Sequence, residues 1–245
     1  MINVLICDAG IAVDPRALPP TTVDGYDQTF QVNFLGHFLL VELLLPKIRA
    51  AEGRVIHVSS EAQFDACAWA NRPDSCVELG NIEASAKITP ANGTNPLGVP
   101  TSNYGFTKYL QVFHAAELAR REHQQGPPMG AVLAFSLHPG FVLTPMTRST
   151  IPPAVAKQWC VGEPQPCPLN AAEGAATPAY IAAADYDAVM PTNGGFYEFC
   201  SPAPSVRDIM LNHTGSVGTL AYQVTSNFPA ERLYFRFEIA GSSTS

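Results

Sequence analysis

Short apolar runs alternate along this chain with longer segments in which apolar residues recur at helical spacing. Each run is rich in β-branched or other apolar residues and is stopped by glycine, proline or polar residues, which is typical of a buried β-strand. Strands are predicted at residues 2–7, 54–58, 131–137 and 196–200, and helices at 24–49, 104–122 and 170–184. This strict alternation predicts an α/β fold, a doubly wound parallel sheet with helices on both faces.

The domain organisation is predicted from the segments that lack this hydrophobic periodicity. Residues 61–103 are punctuated by Pro, Asn, Gly and Ser with little periodicity, which indicates a long insert rather than a core element. Residues 1–202 are therefore expected to form one domain, and residues 203–245 an extension that the pattern does not place. A chain of 245 residues, 47% of them hydrophobic, is large enough to bury one substantial core.

Charge and cysteine usage narrow the expected partners. The net charge is −7 and the 14 Lys and Arg residues form no cluster, so nucleic acid is not an expected partner. No apolar run approaches the roughly 18–20 residues of a membrane span and no secretory leader is evident, so no membrane segment is expected. The six cysteines form no metal or redox motif, which predicts no metal site and reduced thiols in a cytoplasmic protein.

A tyrosine and a lysine lie one helical turn apart in the second predicted helix. Tyr104 and Lys108 share a face because positions i and i+4 are neighbours on a helix. A cation beside a phenol favours the phenolate, so Lys108 is expected to lower the Tyr104 pKa towards a useful acid/base range. A surface lysine beside a half-buried tyrosine has the same spacing, so the pair alone leaves both interpretations open.

Five short motifs in a fixed order decide between these interpretations. They are Asp8-Ala9-Gly10 after a strand, Asn33 in a helix, Ser59-Ser60 at a strand end, Tyr104 with Lys108, and Pro139-Gly140 with Thr144. Their order and contexts resemble the short-chain dehydrogenase/reductase family over roughly residues 2 to 200, most closely the retinol dehydrogenase and WW-domain oxidoreductase branch. The family's corresponding motifs are N-N-A-G, a helix asparagine, a strand-end serine, Y-x-x-x-K, and P-G followed by threonine.

The resemblance implies an oxidoreductase that interconverts an alcohol and a carbonyl on a small apolar substrate. Tyr104 would exchange a proton with the substrate oxygen while hydride moves to or from a nicotinamide ring, and Ser60 would hydrogen-bond that oxygen. Lys108 would lower the tyrosine pKa and bind the nicotinamide ribose, and Asn33 would hold a water that relays protons.

The cofactor implied by the resemblance is NADP or NAD, with NADP slightly favoured. Pro139, Gly140 and Thr144 would contact its nicotinamide end. Ala9 and Gly10, with Asp8 before them, would pass close to the adenine-side ribose and the pyrophosphate. Asp8 departs from the family's asparagine. Because a carboxylate cannot donate hydrogen bonds and repels a pyrophosphate, weakened cofactor binding is expected.

A second departure is that the sequence contains no glycine-rich turn of the kind that holds the pyrophosphate. The chain is therefore expected to comprise the fourth to seventh strands of a truncated, Rossmann-like family fold. Three explanations are open: a fragment of a full reductase, an inactive shortened protein that acts by binding, or a chain that borrows a nucleotide-binding half. The strand at 2–7 would be an apolar edge, through which the chain could pair with a second copy or another chain.

Overall fold

The computed structural model describes residues 1–12, 21–64, 104–125, 132–151, 153–161, 166–205 and 207–208. Most of the predicted insert at 61–103 and most of the extension at 203–245 lie outside these residues.

Five strands form one sheet in sequential order within the described residues. The first four pair in parallel, which confirms the predicted α/β sheet, and the fifth pairs antiparallel with the fourth. The strands are Val4–Cys7 (β1), Arg54–Val58 (β2), Leu133–His138 (β3), Phe196–Glu198 (β4) and Ser201–Ala203 (β5).

The fifth strand corrects the prediction of a single strand at 196–200. Phe199 and Cys200 both adopt positive φ angles, 46° and 59°, so the chain reverses there and β4 ends at Glu198. Two residues in this conformation form the tight turn that suits a β-hairpin. The returning strand has three residues, one of them Pro202, which is too short a run for a hydrophobic pattern to show.

Two long helices cover one face of the sheet. Helix Gln28–Arg49 (α1) and helix Tyr104–Gln125 (α2) pack there through residues such as Leu45 and Leu118, against Val55 of β2. The predicted start of α1 at residue 24 was four residues early, because the Asp27 side chain accepts the Phe30 amide at 2.9 Å and caps the helix.

The opposite face of the sheet is covered by shorter helices. Ile181 and Val189 pack there against Ile56, whose side chain points away from that of Val55, as neighbours in a strand must. The predicted helix at 170–184 is divided at Ala175. Helices therefore lie on both faces, as predicted, with Ala176–Ala183 and Tyr186–Val189 supplying the residues packed on this face. The other short helices of the described residues are Pro145–Thr150, Pro153–Trp159 and Ala171–Gly174.

Helix α1 is not a uniform α-helix. Its residues Gln31–Leu35 form a π-helical segment between α-helical turns at Gln28–Phe30 and Gly36–Arg49. Such segments free main-chain groups from the regular ladder and are frequent at functional sites. Asn33 lies in the middle of this one.

Helix α1 is also the one helix of the described residues that is long and apolar enough to cross a membrane by length and composition. Core helices of soluble proteins have the same properties, and α1 buries Val41, Leu45 and Ile48 in the sheet core. The expectation that the chain has no membrane segment stays a prediction.

The cysteines correct another expectation. Cys160 and Cys167 form a disulfide with their Cα atoms 5.5 Å apart, a separation usual for this bond. Their spacing of seven residues matches no metal or redox motif, so the sequence did not predict the pair. Reduced thiols were one ground for a cytoplasmic location, and that location stays a prediction.

Candidate active site

The predicted site residues lie where parallel strands end, the edge at which α/β sheets carry their sites. Asp8 follows the last residue of β1, and Ser59 and Ser60 follow β2. Pro139 follows His138, the last residue of β3. Helix α2 begins with Tyr104 beside this edge, so one end of the sheet gathers residues from four separate segments.

Tyr104, Ser60 and Lys108 are brought together, as the sequence predicts. The Tyr104 side chain is hydrogen-bonded to Ser60. The Lys108 Nζ atom lies 5.2 Å from the centroid of the Tyr104 ring and donates to the Val58 carbonyl at 2.7 Å. The arrangement provides a phenol and a hydroxyl in contact, with a buried ammonium beside the phenol ring.

Ser59 holds this arrangement in place, a role that the sequence did not reveal. Its Oγ donates to the main-chain carbonyl of Lys108 at 2.6 Å, while the Lys108 side chain returns to the β2 carbonyl of Val58. Helix and strand end are thus fixed by two buried hydrogen bonds in opposite directions. Ser60 is the N-cap of a short 3₁₀ helix, Glu61–Gln63, and its Oγ accepts the Ala62 amide at 3.2 Å.

The electrostatics of the pair differ from expectation. Burial raises the pKa of Tyr104 to about 12; the Ser60 hydrogen bond opposes this shift and the Asp8 charge adds to it. Burial lowers the pKa of Lys108 to about 8, and Asp8 opposes that shift. The expected lowering of the tyrosine pKa by Lys108 was therefore wrong for this arrangement, because desolvation of the phenol dominates.

Asn33 joins the segment after β1 to helix α2. Its Oδ1 accepts the Ile11 amide at 2.8 Å, and its Nδ2 donates to the Ile11 carbonyl at 2.9 Å and to Thr107 Oγ1 at 3.2 Å. Its main-chain carbonyl accepts Gln111 Nε2 and the His37 Nδ1 atom, each at 2.9 Å. This bridging role is evident in the structure, whereas the water relay stays a prediction.

Thr107, Gln111 and His37 are therefore site residues that the sequence interpretation missed. Thr107 lies three residues after Tyr104 and Gln111 three residues after Lys108, on the helix that carries the pair, and His37 lies one turn after Asn33. Helical spacing from the named residues could have identified all three. They were missed because none of the five family motifs includes them.

We expect Asn33→Ala to destabilise the protein by about 2–4 kcal/mol, because it leaves buried partners of the amide unsatisfied. Asn33 is fully buried and its side chain holds both backbone groups of Ile11. Denaturant unfolding would measure the free energy. The matched control is Gln124→Ala, which removes an exposed side-chain contact with Arg120 in helix α2. Equal stability of Asn33→Ala and this control would contradict the bridging role.

The residues predicted to bind cofactor occupy two loops. Asp8, Ala9 and Gly10 are exposed after β1, and an added Cβ on Gly10 would approach Asn33 Oδ1 at 3.5 Å. After β3, Gly140 adopts a φ of +83°, and a Cβ there would lie 2.6 Å from Leu169 Cδ1. Position 140 thus requires a glycine, both because of its positive φ and because a side chain there would collide with Leu169.

Thr144 begins the helix Pro145–Thr150. Its Oγ1 accepts the Thr147 amide at 3.2 Å, and Thr147 Oγ1 accepts the Thr144 amide at 2.8 Å, a reciprocal capping box. The threonine therefore has a local structural role, and its contact with cofactor stays a prediction. In the part of the chain that the structure describes, no group of three His, Cys, Asp or Glu residues could hold a metal ion.

The sequence is similar to known short-chain dehydrogenases and oxidoreductases. A family model described as short chain dehydrogenase matches residues 1–71. The WW domain-containing oxidoreductase of Danio rerio is 31% identical over 217 residues, which are 84% of this chain and 45% of that protein. Retinol dehydrogenase 12 of Mus musculus is 29% identical over 150 residues, 61% of this chain and 39% of that protein. The chain thus spans less than half the length of these relatives.

A solved structure supports the fold. A gluconate 5-dehydrogenase from Burkholderia cenocepacia, crystallised with NADP and tartrate, aligns with a TM-score of 0.53 at 17% identity. The alignment covers 80% of this chain and 62% of that one. Likeness at this level of identity concerns the α/β architecture alone.

Proposed function

The chain belongs to the short-chain dehydrogenase/reductase family, in the branch of retinol dehydrogenases and WW domain-containing oxidoreductases, and from that premise we propose that it is an NADP- or NAD-dependent oxidoreductase. Its substrate is the alcohol/carbonyl pair of a small apolar molecule. The observation that carries the proposal is the hydrogen bond between Tyr104 and Ser60, with the Lys108 ammonium 5.2 Å from the phenol ring.

The proton chemistry follows from these side chains. At neutral pH the Tyr104 phenol is protonated, because burial raises its pKa to about 12, and it is ready to donate a proton to a carbonyl oxygen. Ser60, already in hydrogen-bond contact with the phenol, would hold the same oxygen in line. In the reverse direction Tyr104 would take up the hydroxyl proton of the alcohol. A bound nicotinamide dinucleotide supplies the hydride acceptor or donor.

The donor set fits the nicotinamide end of such a cofactor. Lys108 and Tyr104 would face the nicotinamide ribose, and Pro139, Gly140 and Thr144 would line the loop beside it. Gly140 has no side chain, so that loop can pass close to Leu169. Asp8, Ala9 and Gly10 would lie towards the phosphates, where the Asp8 charge weakens binding.

Calorimetric titration of the 245-residue chain with NADPH and NADH tests the cofactor proposal. We expect measurable heat with dissociation constants weaker than micromolar, because one carboxylate opposes the phosphates. The matched titration uses AMP, which lacks the nicotinamide half and is expected to bind more weakly still. The absence of heat at millimolar dinucleotide would sink the proposal and favour a protein that acts by binding alone.

A further inference from the structure

The Cys160–Cys167 disulfide closes a small ring in the segment between the loop after β3 and the helix Ala171–Gly174. The two cysteines are seven positions apart, and both are half-buried. Their neighbours Val161 and Pro166 are exposed, so this ring lies at the protein surface, where a small thiol can approach it.

Leu169 joins the ring to the loop after β3. It follows Cys167 by two residues, and its amide donates to the Phe141 carbonyl at 2.8 Å. Its own carbonyl accepts the Leu143 amide at 2.9 Å, so the two segments pair in parallel over this stretch. Two main-chain hydrogen bonds therefore hold the loop after β3 to a residue that lies next to the disulfide.

The Leu169 side chain adds a packing contact to these hydrogen bonds. An added Cβ on Gly140 would lie 2.6 Å from Leu169 Cδ1, so the leucine covers the glycine closely. Gly140 belongs to the loop that also carries Pro139 and Thr144. The residues proposed to meet the nicotinamide end of a cofactor are thus held in place by a segment that a disulfide constrains.

Reduction of the disulfide removes this constraint. A thiolate of a dithiol reductant attacks one sulfur, the S–S bond breaks and a mixed disulfide forms. The second thiol of the reductant then displaces the protein sulfur, so the protein gains two electrons and two protons as two thiols and the reductant leaves as a disulfide. Without the bond, the segment before Leu169 gains more conformational entropy when the pairing opens, and opening becomes more favourable.

We propose that the Cys160–Cys167 disulfide is a thiol-sensitive clamp. The oxidised form holds Leu169 against the loop after β3, and the reduced form lets this pairing open and weakens binding at the nicotinamide end. The opening of the loop rests on the contacts of Leu169, whereas its effect on the cofactor rests on the proposed function. In a cytoplasmic protein, the location predicted from the sequence, disulfides are usually transient or redox-sensing.

Hydrogen exchange at the Leu143 and Leu169 amides tests the clamp, because both amides donate across the pairing. NMR follows their exchange in oxidised wild type, in wild type reduced with dithiothreitol, and in the double variant Cys160→Ser/Cys167→Ser. We expect the last two to exchange about 10- to 60-fold faster, the upper value being the loop-closure entropy of a ring this small. Reoxidation of the reduced wild type should restore the slow exchange.

The matched control is Cys200→Ser, which removes a free thiol and leaves the disulfide intact. Its Leu143 and Leu169 amides should exchange as in wild type and stay sensitive to reduction. The amides of β2, in the sheet core, should exchange equally in all these proteins. Equal exchange at Leu169 in oxidised and reduced protein would overturn the proposal, and so would an equal acceleration in β2. A disulfide that resists millimolar reduced glutathione would overturn it as well.

Cofactor titration separates this inference from the proposed function. We expect the double variant Cys160→Ser/Cys167→Ser to bind NADPH several-fold more weakly than oxidised wild type. If the Leu169 amide responds but neither protein binds dinucleotide, the opening of the loop stands and the proposed function fails. If both proteins bind dinucleotide equally, the effect of the clamp on the cofactor fails and the proposed function stands.

Discussion

Tyr104→Phe is expected to lower the rate of carbonyl reduction by about 10²–10⁴-fold, the usual contribution of a positioned general acid. The substitution removes only the hydroxyl that contacts Ser60. The ring against the Lys108 ammonium remains, so the packing of helix α2 should be preserved. The measurement is the initial rate of NADPH oxidation with a panel of small apolar aldehydes and ketones, beside wild-type protein.

Two comparisons make this result specific to proton transfer. Cofactor binding by Tyr104→Phe should stay close to that of wild type, because Lys108 and the loop residues Pro139, Gly140 and Thr144 remain at the nicotinamide end. Tyr109→Phe is the matched control, since Tyr109 is buried in the same helix and stacks on Phe113 with centroids 4.5 Å apart. Full activity in Tyr104→Phe, or an equal loss in Tyr109→Phe, would refute the assignment of the proton donor.

The architecture was predictable because its determinants are local. The runs around Val55 and Phe135 are apolar and bounded by turn residues, so the parallel strands could be placed within a few residues. Helix α2 was predicted three residues short at its carboxyl end. The same locality explains the errors, because β5 depends on the reversal at Phe199 and Cys200, and the Cys160–Cys167 disulfide on a pairing that no local pattern reports.

The site shows a similar division. Residue type and order placed Tyr104, Lys108 and Ser60 together, since helical spacing and strand ends are visible in a sequence. The direction of the Tyr104 pKa shift could not be predicted from the sequence, because it depends on how far the fold desolvates the phenol. The hydrogen bonds by which Asn33 bridges Ile11 and Thr107 likewise join residues that are distant in the sequence. Ile11 is 22 positions from Asn33 and Thr107 is 74 positions from it, so no local pattern reports these contacts.

Two buried histidines behind the site lead to an expected loss of stability in acid. His57 of β2 and His114 of helix α2 are buried with ring centroids 4.9 Å apart, and within the described residues none of their four ring nitrogens has a hydrogen-bond partner. Burial, followed by the charges of Arg121 and His37, lowers the pKa of His114 to about 3. Burial likewise holds the pKa of His57 well below its ordinary value.

The direction of the pH effect follows from proton uptake. In the unfolded chain each imidazole titrates near pH 6.5, whereas in the folded protein His114 stays neutral down to about pH 3. Below pH 6.5 the unfolded state binds more protons, so the free energy of unfolding falls as pH falls and is unaffected by these groups above pH 6.5. At pH 4.5 the loss from His114 is about 3 kcal/mol, and His57 adds to it in the same direction.

His114→Phe should remove the His114 share of this loss. Phe38 lies 4.9 Å from the His114 ring, so an aromatic replacement keeps an apolar neighbourhood, and neither ring nitrogen gives up a hydrogen bond. Urea unfolding at pH 7.5 and 4.5 should show a difference smaller by about 2–3 kcal/mol than in wild type. His123→Gln, an exposed change in the same helix, should retain the wild-type difference. Because carboxylates contribute equally to all three proteins, an unchanged difference in His114→Phe would show that His114 is already charged or solvated in the folded state.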